Sequence, residues 1–301
     1  MNNKHPIRIL LCLFVLASLV APIFAQKRGK SIIYGVVNDG ALIEPIAFIE
    51  NGKLTEAVGG DSDPKDLAAF VKNYYKPKTA YRLIFGGATA GTVTVKNANA
   101  KSDCAKNMAD VTIQSTKVKI GGFVMALATD LVSKSAASGL RRKPTAAEKA
   151  EIDKLVRAEL TAQNVSAAAQ KNLHYHNLTV LDVDNDKKPE MVGSYWVETG
   201  AEERALLFFI AGQNARGKYE FGYSSFSTLK KEEVMSQDFK DVDTTGLDHE
   251  LLLDVFDIDN DGVAEIFTYS PGFEGAGFYA YRRENGKWTR VFEGSNYHCA
   301  Y

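Results

Sequence analysis

The chain lacks several things, and each lack narrows what it can be. Charge is nearly balanced, with 36 Lys and Arg against 37 Asp and Glu, a net charge of −1. Without a basic excess, neither nucleic acid nor an anionic membrane surface is an expected partner. The most apolar run covers residues 9–20, and a membrane-spanning helix needs about 20 apolar residues. Cysteine is scarce, at three residues: Cys12, Cys104 and Cys299. No Gly-x-Ser-x-Gly, His-Glu-x-x-His or Cys-x-x-Cys motif occurs, which removes the commonest signatures of serine hydrolases, zinc peptidases and thiol redox proteins. Residues 31–130 hold no histidine and only scattered acids. A catalytic centre there would have few groups to work with.

The apolar run has a purpose at its position. Lys4 and Arg8 precede it, and Phe24-Ala25 ahead of Gln26 resembles a signal-peptidase site. Residues 1–25 therefore read as a signal peptide, and the mature chain as secreted or periplasmic with no transmembrane segment. Cleavage removes two cations and no acids, so the net charge becomes 34 − 37 = −3. It also removes Cys12. Cys104 and Cys299 are left as an even pair in an oxidising compartment, which favours a disulfide over two buried free thiols.

The rest reads as mainly β. In residues 26–135, a β-rich region, Ser31 to Val37 forms a strand that ends at the turn Asn38-Asp39-Gly40. Asn51-Gly52 then sits between two further strand-forming runs, a strong hairpin signal. Asp63 and Pro64 start a helix with Leu67, Phe70, Val71 and Tyr74 on one face. Gly86 to Gly91 reads as a hairpin turn. Such a turn can cradle phosphate, but no Gly-Lys-Ser/Thr follows and no helix opens, so a structural role is expected. Residues 136–171 are a linker and an amphipathic helix, opened by the capping box Thr145-Ala-Ala-Glu148.

Residues 172–301 repeat themselves. Asp257, Asp259 and Asp261 alternate through a short loop, with Gly262 next and Glu265 closing it. Asp182, Asp184, Asp186 and Glu190 form a near copy, offset by 257 − 182 = 75 positions, with Lys187 in place of the glycine. Carboxylates so close repel, by about 4 kcal/mol per pair at 4 Å and an effective dielectric of 20. A divalent cation relieves that repulsion, and an all-oxygen donor set favours Ca2+ over zinc or copper. The competing reading is a hairpin whose Asp and Asn side chains only cap their own backbone. Position 12 of the loop, the bidentate glutamate of an EF-hand, is Thr268 in one copy and Gly193 in the other, and the flanks form strands, not helices. Each copy reads as four short strands with the acidic loop between the first two.

On these residues the chain resembles the FG-GAP/VCBS extracellular repeats, whose signature is Asp-x-Asp-x-Asp-Gly-x-x-Asp/Glu within a strand-loop-strand unit. The resemblance covers the two loops and their strands, and leaves the N-terminal half unrecognised. It implies propeller-type blades with calcium in the loops. The implied ligands are Asp257, Asp259, Asp261, Glu265 and the Val263 carbonyl in one copy. In the other they are Asp182, Asp184, Asp186, Glu190 and the Lys188 carbonyl. With two clear units, the expected fold is a propeller-like or sandwich assembly of four-stranded antiparallel units, with two packing helices.

Other candidates are thinner. His174 and His176 alternate along a strand and invite a transition metal, but no third ligand is placed. Tyr219, Phe221 and Tyr223 read as one face, for sheet packing or for stacking on a sugar. Asp248-His249-Glu250 offers acid–base groups without a nucleophile. The expected function is a non-enzymatic, exported calcium-binding protein, its metal structural, with a protein or glycan as partner in binding or adhesion. The alternative is a secreted hydrolase that uses the repeats as scaffold.

Overall fold

A computed structural model of the protein describes residues 29–132 and 139–299. The signal-peptide reading of residues 1–25 lies outside them, as does part of the linker. Among the described residues no helix is long and apolar enough to cross a membrane.

The first seven strands are β1 (Ser31–Val37), β2 (Leu42–Glu50), β3 (Lys53–Glu56), β4 (Ala80–Phe85), β5 (Ala88–Ala98), β6 (Ala109–Gln114) and β7 (Ala126–Thr129). They pair in the order β1-β7-β4-β5-β6-β2-β3, and β2 also pairs with β1. Six strands thus close into an antiparallel barrel, with β3 as an outer flap on β2. Side-chain alternation decides what fills it. Ile32, Tyr34 and Val36 join Leu83, Val93, Val95, Val111 and Ala128 in one buried cluster fed by all six strands. Helix α1 (Pro64–Tyr74) adds Phe70 to it. Asp63 caps the helix by accepting from the Lys65 amide at 2.8 Å, as its spacing predicts.

The intervening residues, Ile33, Val37, Ile84 and Leu127, face outward onto the second repeat. That repeat is a four-stranded meander: β13 (Leu251–Phe256), β14 (Glu265–Pro271), β15 (Gly275–Glu284) and β16 (Lys287–Tyr297). Leu251, Leu253 and Phe278 meet the barrel on one face. Leu252, Val255 and Ile266 meet Val192, Phe208 and Ile210 of the first repeat on the other. Two-sided burial explains why β13 is apolar at almost every position.

The first repeat is β9 (His174–Leu181), β10 (Glu190–Gly200), β11 (Glu203–Gln213) and β12 (Tyr219–Lys230), with the two-residue β8 (Arg141–Arg142) added at its edge. Its far face packs on α2 (Ala146–Ala162) through Ile152, Val156 and Leu160. The Thr145–Glu148 capping box forms as predicted. The layers therefore run barrel, second repeat, first repeat, helix.

Two sequence expectations are corrected here. A third helix, α3 (Phe239–Thr245), occupies the insertion between the repeats. Asp238 caps it, Phe239 and Val242 bury beneath it, and left-handed Gly246 stops it. At seven residues it is too short to show a helical period. Tyr219, Phe221 and Tyr223 do not share a face. A bulge places Ile210 opposite Tyr223 and Ala211 opposite Phe221, so Gly222 is the extra residue and the alternation slips. Phe221 turns to the α2 side and Tyr223 to the inter-sheet side.

Cys104 and Cys299 are joined in a disulfide, their Cα atoms 5.0 Å apart across 195 positions. Beside it the C-terminal strand is sewn to the barrel. Asn296 Oδ1 accepts from Gly60 N and from Asn107 Nδ2, each at 2.8 Å. Asn296 Nδ2 donates to buried Glu44 at 2.7 Å, and His298 Nε2 meets the same carboxylate oxygen at 2.6 Å.

Candidate metal centre

Each acidic loop leaves the first strand of its repeat and returns as the second, so both lie at the same end of the stacked sheets. They touch: Ala264 N donates to Val183 O at 2.8 Å. Within each loop the three aspartates converge, offering carboxylate oxygens within 4.8 Å of one another. Local hydrogen bonds shape the turn in the same way twice. Asp259 Oδ1 accepts from Asp261 N at 3.2 Å, and Asp184 Oδ1 from Asp186 N at 3.2 Å. Val263 N donates to Asp261 at 2.8 Å and Lys188 N to Asp186 at 2.7 Å. The capping reading is therefore also met, since Asx-type bonds and convergent carboxylates coexist.

The copies differ at their first aspartate. Asp257 has both oxygens engaged, accepting from Asn260 N at 2.6 Å and Gly262 N at 3.1 Å, each with a lone pair to spare. In the upstream copy Lys187 takes the left-handed position, φ 68° against 96° for Gly262. A non-glycine residue there costs about 1–2 kcal/mol. Asp182, only 4% exposed, keeps Oδ1 buried with no hydrogen-bond partner among the described residues. An orphaned, buried carboxylate oxygen beside two further carboxylates is the chemistry a hard cation satisfies.

The glutamates stand apart from the trios. Glu265 Oε2 accepts from Ile258 N at 3.1 Å and Glu190 Oε2 from Val183 N at 3.3 Å. Their second oxygens take arginines. Arg282 Nε donates to Glu265 at 2.7 Å, and its Nη2 lies 3.1 Å from Asp259. Arg283 meets Glu190 at 3.2 Å and also pairs with Asp184. Burial pushes both glutamates up to about 7, against the lowering pull of the backbone amide and the arginine. Sequence reasoning missed this arginine pair. Its only signal is two adjacent cations on a strand of a chain with two acidic loops.

The remaining candidates resolve differently. His174 stacks on Trp196 at 4.3 Å, while His176 lies between Phe123 and His249, with ring centroids at 4.8 and 4.2 Å. His249 is the neighbour the sequence did not place. It borders a polar cavity of about 170 Å³ with Asp248, Glu250, Ser194, Ser225 and Ser227. Neither His249 nitrogen has a hydrogen-bond partner among the described residues, so no serine hydroxyl stands poised on it. Glu250 accepts from Thr268 at 2.6 Å and Tyr281 at 2.7 Å. That arrangement holds the carboxylate in place.

The glycine turn does cradle an anion, and it belongs to the protein. Gly86 N and Gly87 N donate to Asp254 at 3.1 and 3.3 Å. No protein-family model, curated protein or solved structure matches this chain.

Proposed function

We propose that the protein is an exported, non-enzymatic calcium-binding repeat protein of the FG-GAP/VCBS type, in which Ca2+ fixes the loops at one end of two stacked, propeller-like blades. The observation that carries this reading is the orphaned Oδ1 of Asp182 within a trio of carboxylates, in a loop that repeats 75 positions on (257 − 182 = 75) with the same Asx bonds.

The residues fit the ion. Asp182, Asp184 and Asp186 hold one cation and Asp257, Asp259 and Asp261 the other, with the Lys188 and Val263 carbonyls as the backbone donors that the resemblance implies. Glu190 and Glu265 would join by exchanging an arginine contact for the metal. The bound ion supplies charge neutralisation: each trio with its glutamate carries up to four negative charges against one guanidinium. Extracellular modules bind calcium at about 10⁻⁴–10⁻³ M, so ambient calcium keeps such sites filled and the metal acts as structure, not as a switch.

The disulfide supports export, since such bonds persist in oxidising compartments. Glu44, fully buried in the N-terminal half, is committed to fastening Asn296 and His298, which argues against it as the general acid of a hydrolase. Surface loops are then free for a protein or glycan partner. Calorimetric melts in millimolar calcium and in chelator test the proposal. A transition raised by calcium and not by magnesium supports it, and an unchanged transition sinks it.

A further inference from the structure

Apart from the aspartate trios, a cleft of about 470 Å³ opens where the barrel, the start of α2 and strand β9 meet. Its size is within the usual range of small-molecule sites, which favour junctions between structural units. Its lining is one-sided in charge. Arg141, Arg142, Lys143 and Lys149 contribute to the wall, and among the described residues no acid does. Three of these cations have local carboxylates: Arg141 pairs with Asp254, Arg142 with Glu148 and Lys149 with Asp153. Lys143 is exposed and has no ion-pair partner among the described residues. The N-terminus of the seventeen-residue α2 adds the positive end of its dipole to the same side.

Much of the rest of the wall is apolar or aromatic, with Phe85, Phe123 and Leu178 and the half-exposed Tyr175 and Val124. A second, independent observation lies in the same wall. Asn177, 7% exposed, keeps both amide atoms buried without a hydrogen-bond partner among the described residues, and so does His176 Nε2 beside it. Buried polar groups left unpaired are destabilising, because their lost hydration is not replaced. A ligand that brings hydrogen-bonding atoms to Asn177 recovers that cost.

We infer that this cleft binds a small organic anion with an apolar or aromatic body. The anionic group sits towards Lys143 and the start of α2, and the body lies against Phe85, Phe123 and Tyr175. This site goes beyond the calcium reading and does not depend on it, so its test is run both in calcium and in chelator.

The probe is anilinonaphthalene sulfonate, an aromatic anion whose fluorescence reports burial, titrated into the folded protein and then competed with octanoate or with octan-1-ol. The expected result is one saturable site, displaced by octanoate and not by the neutral alcohol. Lys143→Glu and Tyr175→Ala, both at exposed positions, should each weaken binding by about tenfold with the melting temperature unchanged. Absence of saturable binding, equal displacement by the alcohol, or unaltered affinity in either variant overturns the inference.

Discussion

Arg141 Nη1 lies 2.7 Å from Asp254 Oδ2, and both side chains are almost wholly buried, at 5% and 0% exposure. The pair closes the junction of all three sheets. Arg141 also donates to the carbonyls of Met125 and Leu253, at 2.9 and 2.7 Å, while Asp254 accepts from the Gly86, Gly87 and Val255 amides. Burial raises the Asp254 carboxyl, and the arginine with the amides pulls the other way. Breaking such a pair leaves an uncompensated charge inside the protein. Arg141→Met and Asp254→Ala are each expected to lose about 3–5 kcal/mol in urea unfolding. A loss below about 1 kcal/mol in both would show that the junction does not depend on it.

The first aspartates of the two loops should respond in opposite ways without metal. In chelator, Asp257→Asn places an amide against two backbone donors and should cost about 1–3 kcal/mol. Asp182→Asn removes the charge from an oxygen that has no partner and should be neutral or stabilising. In calcium both variants should show a smaller rise in melting temperature than the parent protein. Equal effects of the two substitutions in chelator would contradict the difference in hydrogen bonding between Asp257 and Asp182.

Opening the Cys104–Cys299 bond releases a constraint over 195 positions. In the chain-entropy model that is worth up to about 5 kcal/mol. Cys104→Ser or Cys299→Ser should shift the urea midpoint accordingly, with the final strand and its Asn296–Glu44 contacts exchanging amide hydrogens first. Uniform exchange across the barrel and the last strand would argue against that order.

Acid should unlock the histidine pair. Burial, with a smaller contribution from His176, pushes His249 down to about 3 from its ordinary 6.5. Because the folded state resists the proton, the unfolded chain binds more of it below about 6.5, and stability falls with pH. The window runs from about 6.5 down to about 3, at about 1.4 kcal/mol per pH unit. Glu190 and Glu265 are raised and titrate in the opposite sense, so the measurement is the difference between the parent protein and His249→Leu across pH. A flat difference would place His249 in contact with water.

Much of this could be seen in the residues, for physical reasons that also mark where the view ends. The loops, their flanking strands and the helix caps are local, and Asp alternation or a capping box declares itself within a few positions. Barrel closure depends on β1 meeting β2 and β7 at once, a non-local choice that no window of sequence contains. Gly222 shows the other limit. A single bulge residue in an otherwise regular strand sends Tyr223 to the opposite face, and strict period-two counting cannot detect it. The Gly86–Gly87 turn was readable as an anion cradle, but its occupant, Asp254, lies some 170 positions away and is supplied by the fold.

Arg282 and Arg283 are neighbours on β15, and neighbouring strand residues point to opposite faces. One peptide unit, about 3.8 Å between Cα atoms, therefore carries the counter-charge for both acidic loops. Adding or deleting one residue upstream in β15 would send each guanidinium to the opposite side, so that one arginine replaces the other and one of the two loops loses its counter-charge. The two copies can drift apart in sequence, as Lys187 and Gly262 already have. They share a single rivet, and neither loop can shift along its sheet without drawing on the other.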